Sequence, residues 1–415
     1  MIRYLISILV MAVAAVTGAT AWASGTLNVG AASTTINPPA GTFLGGYDHN
    51  RKSTGIHDDL NAKAVVFDDG DSTVVLVVLD ALSIQLFETD AIRAAAVKRV
   101  GDRRLAPERI IVQATHSHCA PDLTGLYGAS PGESGLSPVY IAQLVDSATD
   151  AVAKAWSARR PATLTHTEAI CSGWAVNDSE PANIDNSVTI LECLDASGKP
   201  VATLTNFACH PTVLDGDTTL TGADWVGGYY KAMSSALPGE HLFLQGAIGA
   251  WIQPKTPERT FVLAESYGKD LASKVTAALT SAKPLEGSAI RFAHKRFPMP
   301  LANEMFKQMT ELGLTPRDMK GGAVETEVTW FSVGAAQFAT HPGETAPVFA
   351  GETRKLMKSG PKFVLGLGND HLGYLNPPEC FDVPSKLKFA DYLTSMSPGR
   401  EAGPSIMAAL AGIIP

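Results

Sequence analysis

The chain has 415 residues, 45% hydrophobic and 18% charged, a balance that supports a large core and excludes a disordered or fibrous protein. Its formal net charge of −8 at pH 7 gives no electrostatic pull toward nucleic acid or anionic lipid, so neither is expected as a partner. The first residues carry one basic side chain, Arg3, a short apolar run and the small-residue site Ala21-Trp22-Ala23. Residues 1–23 therefore read as a secretory signal peptide, with the mature protein periplasmic or secreted. The apolar core of that leader is short for a span and no later segment reads as transmembrane, so no stable span is expected after cleavage.

The mature chain, 24–415, is expected to be one domain. It opens with Leu27–Ala32 and a glycine-rich stretch through Leu44-Gly-Gly-Tyr47, where the absence of side chains allows close backbone approach to a neighbour or ligand. Runs Ala64–Phe67 and Thr73–Leu79, split by Asp68-Asp-Gly-Asp71, read as a β-hairpin closed by Asp80. An amphipathic helix is expected from Thr89, a buried strand over Arg109–Gln113 and a longer helix over Tyr140–Ala158. Strands at Leu164–Ile170, Val188–Leu194 and Val201–Ala208 follow, then a helix over Trp225–Leu237, a strand at His241–Leu244 and a helix over Ser266–Ser281. Arg291–Pro300 reads as an edge strand, Phe306–Gly313 as a short helix, Phe331–Thr340 as a strand, Thr345–Lys358 as a helix and Phe363–Leu367 as a strand. Strands alternating with helices predict an α/β fold, a layered mixed sheet flanked by helices.

Three of the strand-like runs end in groups that carry chemistry. Arg109–Gln113 leads into His116-Ser-His118, Val201–Ala208 into His210, and Phe331–Thr340 into His341-Pro-Gly-Glu344. Neutral imidazole is the commonest metal ligand near neutral pH, and strand ends are where catalytic loops gather. The plainer reading of a lone His-x-His is one histidine capping the strand end and one in solvent, because two imidazoles do not complete a zinc site. Recurrence at three strand ends favours a metal or acid–base centre. Five cysteines, Cys119, Cys171, Cys193, Cys209 and Cys380, lack the spacing of a structural zinc site. Cys171 and Cys193 are the best candidates for a disulfide in an oxidising compartment.

Set side by side, several segments resemble the neutral (non-lysosomal) ceramidase family. They are Gly55-Ile-His57 with Ala62-Lys-Ala64, Asp80, Thr115-His-Ser-His118, Asn206-Phe-Ala-Cys-His-Pro-Thr212, Pro342-Gly-Glu344 and Gly373-Tyr374, in family order over almost the whole mature chain. The resemblance implies an α/β catalytic domain with one zinc ion per chain, held by His116, His210, Glu344 and Tyr374. Such a centre activates water for attack on an amide or ester carbonyl. It further implies His118 as the group that holds the oxyanion or moves a proton, and Tyr392 as a second tyrosine near the carbonyl. Asp80 and Asp224 are either carboxylates that orient ligand imidazoles or loop caps. His57 and His49 line a pocket or are surface polar groups.

The chain also departs from the family pattern. Asn177-Asp178 stands where the family carries an Asn-Arg pair, and Gly246-Ala-Ile-Gly-Ala-Trp-Ile-Gln-Pro254 replaces a loop with a functional serine. The family's C-terminal immunoglobulin-like domain is not expected here. The leading expectation is a zinc-dependent amidohydrolase acting on a lipid N-acyl, ceramide-like substrate, with Phe43, Leu44, Trp251 and Tyr127 as candidates for an acyl-chain pocket. The alternatives are a zinc hydrolase of a small polar amide, ester or sugar derivative, and a non-catalytic binding protein on the same fold.

Overall fold

The apolar runs in this sequence are continuous rather than alternating because their strands are covered on both faces. A computed structural model describes residues 26–383, 385 and 387–415; the expected leader lies outside them. Strands β1 (Asn28–Thr35), β2 (Asn61–Asp68), β3 (Thr73–Leu79) and, after helix α1 (Leu86–Val100), β4 (Ile110–Ala114) build one half of a large sheet. After α2 (Pro138–Ser157), the other half comes from β5 (Arg160–Ile170), β6 (Ser187–Asp195), β7 (Pro200–Phe207) and, beyond α3 (Trp225–Ala236), β8 (Glu240–Gln245). The order is β8-β7-β6-β5-β1-β2-β3-β4. Pairing is antiparallel except at the two ends, where β3 with β4 and β7 with β8 run parallel.

Following α4 (Phe261–Leu279), a second sheet uses β9 (Ile290–Pro300), then, after α5 (Glu304–Glu311), β10 (Ala323–Val333), β11 (Ala336–His341) and β13 (Lys362–Gly366) in the order β9-β10-β11-β13. As expected, β9 is an edge strand. Between β11 and β13 lie the two-residue β12 (Glu344–Thr345) and α6 (Pro347–Leu356), and after β13 come β14 (Tyr374–Leu375), α7 (Ala390–Ser395) and α8 (Ala402–Ala411).

Side-chain alternation separates the two cores. Ala62, Ala64 and Val66 of β2 face α1–α4, whereas Val65 and Phe67 face the second sheet. Between the sheets, Phe331, Phe338 and Phe363 stack with ring centroids 4.5 and 4.4 Å apart. On the far side of the second sheet, Val328 and Trp330 pack against Ile406 and Leu410 of α8. The result is four layers, helix, sheet, sheet, helix, which agrees with the expected α/β class and adds a sheet-on-sheet core. No helix among the described residues is long and apolar enough to cross a membrane.

Three local expectations are corrected. Phe331–Thr340 is not one strand: Gly334, with a left-handed φ of 55°, turns the chain so that β10 and β11 form an antiparallel hairpin. Helix α1 begins before Thr89, because the Glu88 carboxylate accepts the Gln85 amide at 2.8 Å, while the Thr89 hydroxyl donates to the Asn369 carbonyl at 2.9 Å. Cys171 and Cys193 are both free. The β5–β6 register sets Cys193 opposite Leu164, and Cys171 lies seven positions further along, about 23 Å at the strand rise and beyond disulfide reach.

Buried amides join the two sheets where their parallel strands end. The Gln113 side chain donates to the carbonyls of Gln245 and Gly366, both at 2.8 Å. Asn206 donates to the carbonyls of Leu244 and Val364 at 2.9 and 3.1 Å, and Asn369 accepts the Val112 amide at 2.9 Å. These bonds fix the ends of β4, β7, β8 and β13 relative to one another, and the loops leaving those ends form the site.

Candidate active site

Strand β4 stops at Ala114, and His116 takes a left-handed backbone with φ 73°, a conformation that costs a residue with a side chain about 1–3 kcal/mol. The amides of His116 and Ser117 donate to the Ala81 carbonyl at 2.9 and 3.1 Å and hold the turn. Strand geometry therefore does not persist through His-Ser-His. The turn still brings the rings of His116 and His118 to 4.8 Å, edge to face. His210 arrives from the end of β7, its ring 5.0 Å from that of His116. Glu344 and Tyr374 are directly opposed in the short parallel pair β12–β14.

Each of the three imidazoles has its Nδ1 held by a backbone carbonyl. His116 donates to Leu82 at 2.6 Å, His118 to Gly46 at 3.0 Å and His210 to Ile252 at 2.7 Å. In a neutral imidazole, Nε2 is then a bare acceptor. The Nε2 atoms of His210 and His116 lie 3.0 and 3.6 Å from Glu344 Oε2, and His118 Nε2 is buried without a partner. Burial, helped by neighbouring imidazoles, pulls His116 down to about 3 and His118 well below the usual histidine range. Burial pushes Glu344 upward, but His116, His210 and His371 outweigh it, leaving its carboxyl well below the usual carboxylate range.

Neutral imidazoles around an ionised carboxylate are acceptors facing acceptors, an arrangement that burial penalises unless a cation lies among them. Donor atoms of His116, His118 and His210, and likewise of His116, Glu344 and His371, all lie within 4.8 Å of one another. The residues present thus fit a divalent metal ion.

Tyr374 sits beside this cluster. Its phenol accepts the indole N–H of Trp251 at 2.9 Å, and its backbone is paired directly with Glu344. Burial and the Glu344 charge raise it well above the ordinary tyrosine range. Tyr392, on α7, has its ring 6.0 Å from Tyr374 and 5.0 Å from Trp251, and burial pushes its phenol up to about 12. The loop that differs from the family pattern therefore contributes Trp251 to Tyr374 and the Ile252 carbonyl to His210. Its Gln253 donates to Asp178, the other departure, across a short antiparallel pairing of Ile252–Pro254 with Ala175–Asn177.

The cluster borders a cavity with a largely apolar wall, including Leu126, Leu301, Phe306, Met309, Val324 and Leu372. His116, His118, Glu344, His371, Tyr374 and Tyr392 face into it. Of the four expected acyl-pocket residues only Tyr127 lines the cavity. Leu44 is in the core, Phe43 lies under Lys52, and Trp251 packs behind Tyr374 on Phe389. The apolar wall comes instead from α5, from Val324 of β10 and from the loops that carry Leu126, Leu301 and Leu372. The amphipathic spacing of Phe306 and Met309 was the available signal.

His371 was not expected in the site: its Nε2 is 3.4 Å from Glu344 Oε1. A histidine three residues before a candidate ligand tyrosine was the available clue. Asp80 and Asp224 orient no imidazole, since carbonyls do that work. Asp80 accepts the Asn61 amide at 2.9 Å, and Asp224 caps α3 and accepts the amides of Val213 and Leu214. Asp224 thereby braces the turn that follows His210. His57 pairs with Asp58 and stacks on Phe261, and His49 is exposed; neither lines the cavity.

Residues 27–240, just over half of the chain, match the family model for neutral/alkaline non-lysosomal ceramidases, N-terminal. A search of curated proteins by sequence gives no match. Among solved structures, the neutral ceramidase from Pseudomonas aeruginosa is similar in fold, with a TM-score of 0.74 at 15% identity over 93% of this chain and 73% of that one. A structure described as a ceramidase complexed with C2 gives 0.76 at 14% identity, covering 93% and 74%.

Proposed function

Because the chain belongs to the neutral/alkaline non-lysosomal ceramidase family, we propose that it is an exported zinc-dependent amidohydrolase that cleaves a ceramide-like N-acyl lipid. The observation that carries this reading is the convergence of His116, His210 and Glu344, acceptor atoms turned toward one another, beside a largely apolar cavity that His116 and Glu344 line. His116, His210 and Glu344 would hold the zinc, with Tyr374 beside them. Bound there, zinc supplies a Lewis acid that polarises a carbonyl and eases the ionisation of water.

The chain's own groups do the rest. Tyr392 keeps its proton at any physiological pH, so its phenol donates to the scissile carbonyl oxygen rather than repelling it. His118 presents an unprotonated, partnerless Nε2 in the cavity wall, suited to take a proton from the attacking water and pass it to the leaving amine. The apolar wall would take the acyl chain, and the burial of the cluster excludes bulk water. A polar substrate was suggested by Asp178, but that carboxylate is bound to Gln253 and is not among the cavity-lining residues. Export rests on the sequence of residues 1–23.

The test is a panel of short- and long-chain N-acyl substrates offered to the purified mature protein with and without zinc. Zinc-dependent turnover rising with chain length is expected. No turnover of any N-acyl amide by zinc-loaded protein would overturn the reading, and turnover indifferent to chain length would remove ceramide from it.

A further inference from the structure

The Glu344 carboxylate is shared between two environments. Its Oε2 faces the inward nitrogens of His210 and His116, at 3.0 and 3.6 Å, while its Oε1 faces His371 Nε2 at 3.4 Å. A carboxylate with one oxygen turned to a cation needs its other oxygen held, or it rotates and changes its denticity.

The segment that delivers His371 is unusually constrained. Leu367 and Asn369 both have left-handed backbones, φ 55° and 67°. The Asn369 side chain accepts the Val112 amide and donates to the Thr329 hydroxyl at 3.2 Å. Fully buried Asp370 accepts the His371 amide at 2.8 Å, the Leu86 amide at 3.0 Å and the Thr326 hydroxyl at 2.8 Å, and pairs with both terminal nitrogens of Arg317. Arg317 also donates to the His371 carbonyl at 3.2 Å and to Gln85 at 3.1 Å. Strained backbone persists where surrounding contacts over-determine it, and such strain collects at functional segments. Here the contacts fix one imidazole against one carboxylate oxygen.

We propose that His371 is a positioning residue of this centre: its Nε2–H donates to Glu344 Oε1 and holds the carboxylate so that Oε2 stays turned toward His116 and His210, the residues that would hold the metal with it. The proposal rests on the metal centre of the preceding reading. It adds to the His, His, Glu, Tyr set a group that the family resemblance did not supply, and it explains why buried Asp370, paired with Arg317 of the cavity lining, and two left-handed residues are built around His371. The side chain is partly open to the cavity, 12% exposed, but the ring is aimed at Glu344.

The experiment is zinc affinity by chelator competition on the full mature protein, with melting of the metal-free forms measured alongside. H371F, which fills the space without a donor, is expected to weaken zinc about 10–100-fold, the usual cost of losing a group that orients a ligand. H371Q, whose amide reaches Oε1 as a donor, is expected to restore most of that loss. The metal-free melting temperatures should match the wild type. Should H371F not fold, H371N, too short to reach Oε1, replaces it. Wild-type affinity in H371F or H371N, or H371Q as weak as H371F, overturns the assignment. The reading beneath it fails separately: that happens if wild-type protein binds no zinc or if H116A and H210A still bind it.

Discussion

The Gly46 carbonyl accepts the Nδ1 proton of His118 at 3.0 Å, and Gly46 itself lies so close to that ring that a β-carbon on it would stand 2.5 Å from Nδ1. The backbone there is also left-handed, with φ 94°. Arg51 completes the arrangement by donating to the carbonyls of Gly45 and His118, with its guanidinium over the Tyr47 ring that tilts against His118. The orientation of His118 is thus set by a glycine that lets the backbone in and a buried cation that anchors it.

From this contact, G46A should displace the imidazole and lower kcat by roughly 10²-fold, the order expected for a displacement of about 1 Å in a catalytic group. Zinc content should stay stoichiometric in both G46A and H118A, measured by elemental analysis of the purified variants. Loss of the metal in H118A would make His118 a ligand instead of the proton-handling group.

The Trp251 indole and the Tyr374 phenol give a second prediction. W251F keeps the ring packed on Phe389 and Tyr392 but removes the hydrogen bond to Tyr374. Such a bond contributes about 0.5–1.5 kcal/mol, so kcat/KM should fall up to about tenfold with little change in melting temperature. Unchanged kinetics would show that the indole does not position the Tyr374 phenol.

Phe306 and Met309 of α5 form part of the apolar wall. F306A should reduce kcat/KM for long-chain N-acyl substrates by about 10–100-fold and leave short-chain substrates nearly unaffected, since removed apolar contact in a pocket costs roughly 1–3 kcal/mol. Equal losses for short and long chains would place the acyl group elsewhere.

Glu88 supplies a stability prediction independent of the metal. Burial pushes its carboxyl up from 4.5 to about 8, against the opposing hydrogen bond from the Gln85 amide. The folded state therefore holds a proton that the unfolded chain has released, and the associated stability, complete below about pH 4.5, is lost as pH rises through about 8. E88Q keeps an acceptor for Gln85 without the titration. It should be more stable than wild type by roughly 4–5 kcal/mol at pH 8.5 and nearly equal at pH 4.5, read from urea midpoints. A parallel pH dependence in both proteins would sink the idea.

The strands were legible from the sequence because their continuous apolar runs are a local signal, and so was the delivery of His116, His210 and Glu344 at strand ends. The glycines before Tyr47 likewise pointed to a close backbone approach, made here to His118. What local pattern could not contain was the second sheet as a separate layer: a run buried by helices on one face and by another sheet on the other reads the same as any fully buried strand. Packing of one sheet on the other brings the ends of β4, β7, β11 and β13 together. That packing alone determines that Ile252 and Leu82 carbonyls set the histidine tautomers, that Phe306 of α5 walls the cavity, and that His371 meets Glu344. Covalent neighbours along the chain announce which side chains are available, whereas distances between atoms far apart in sequence follow only from how the layers close.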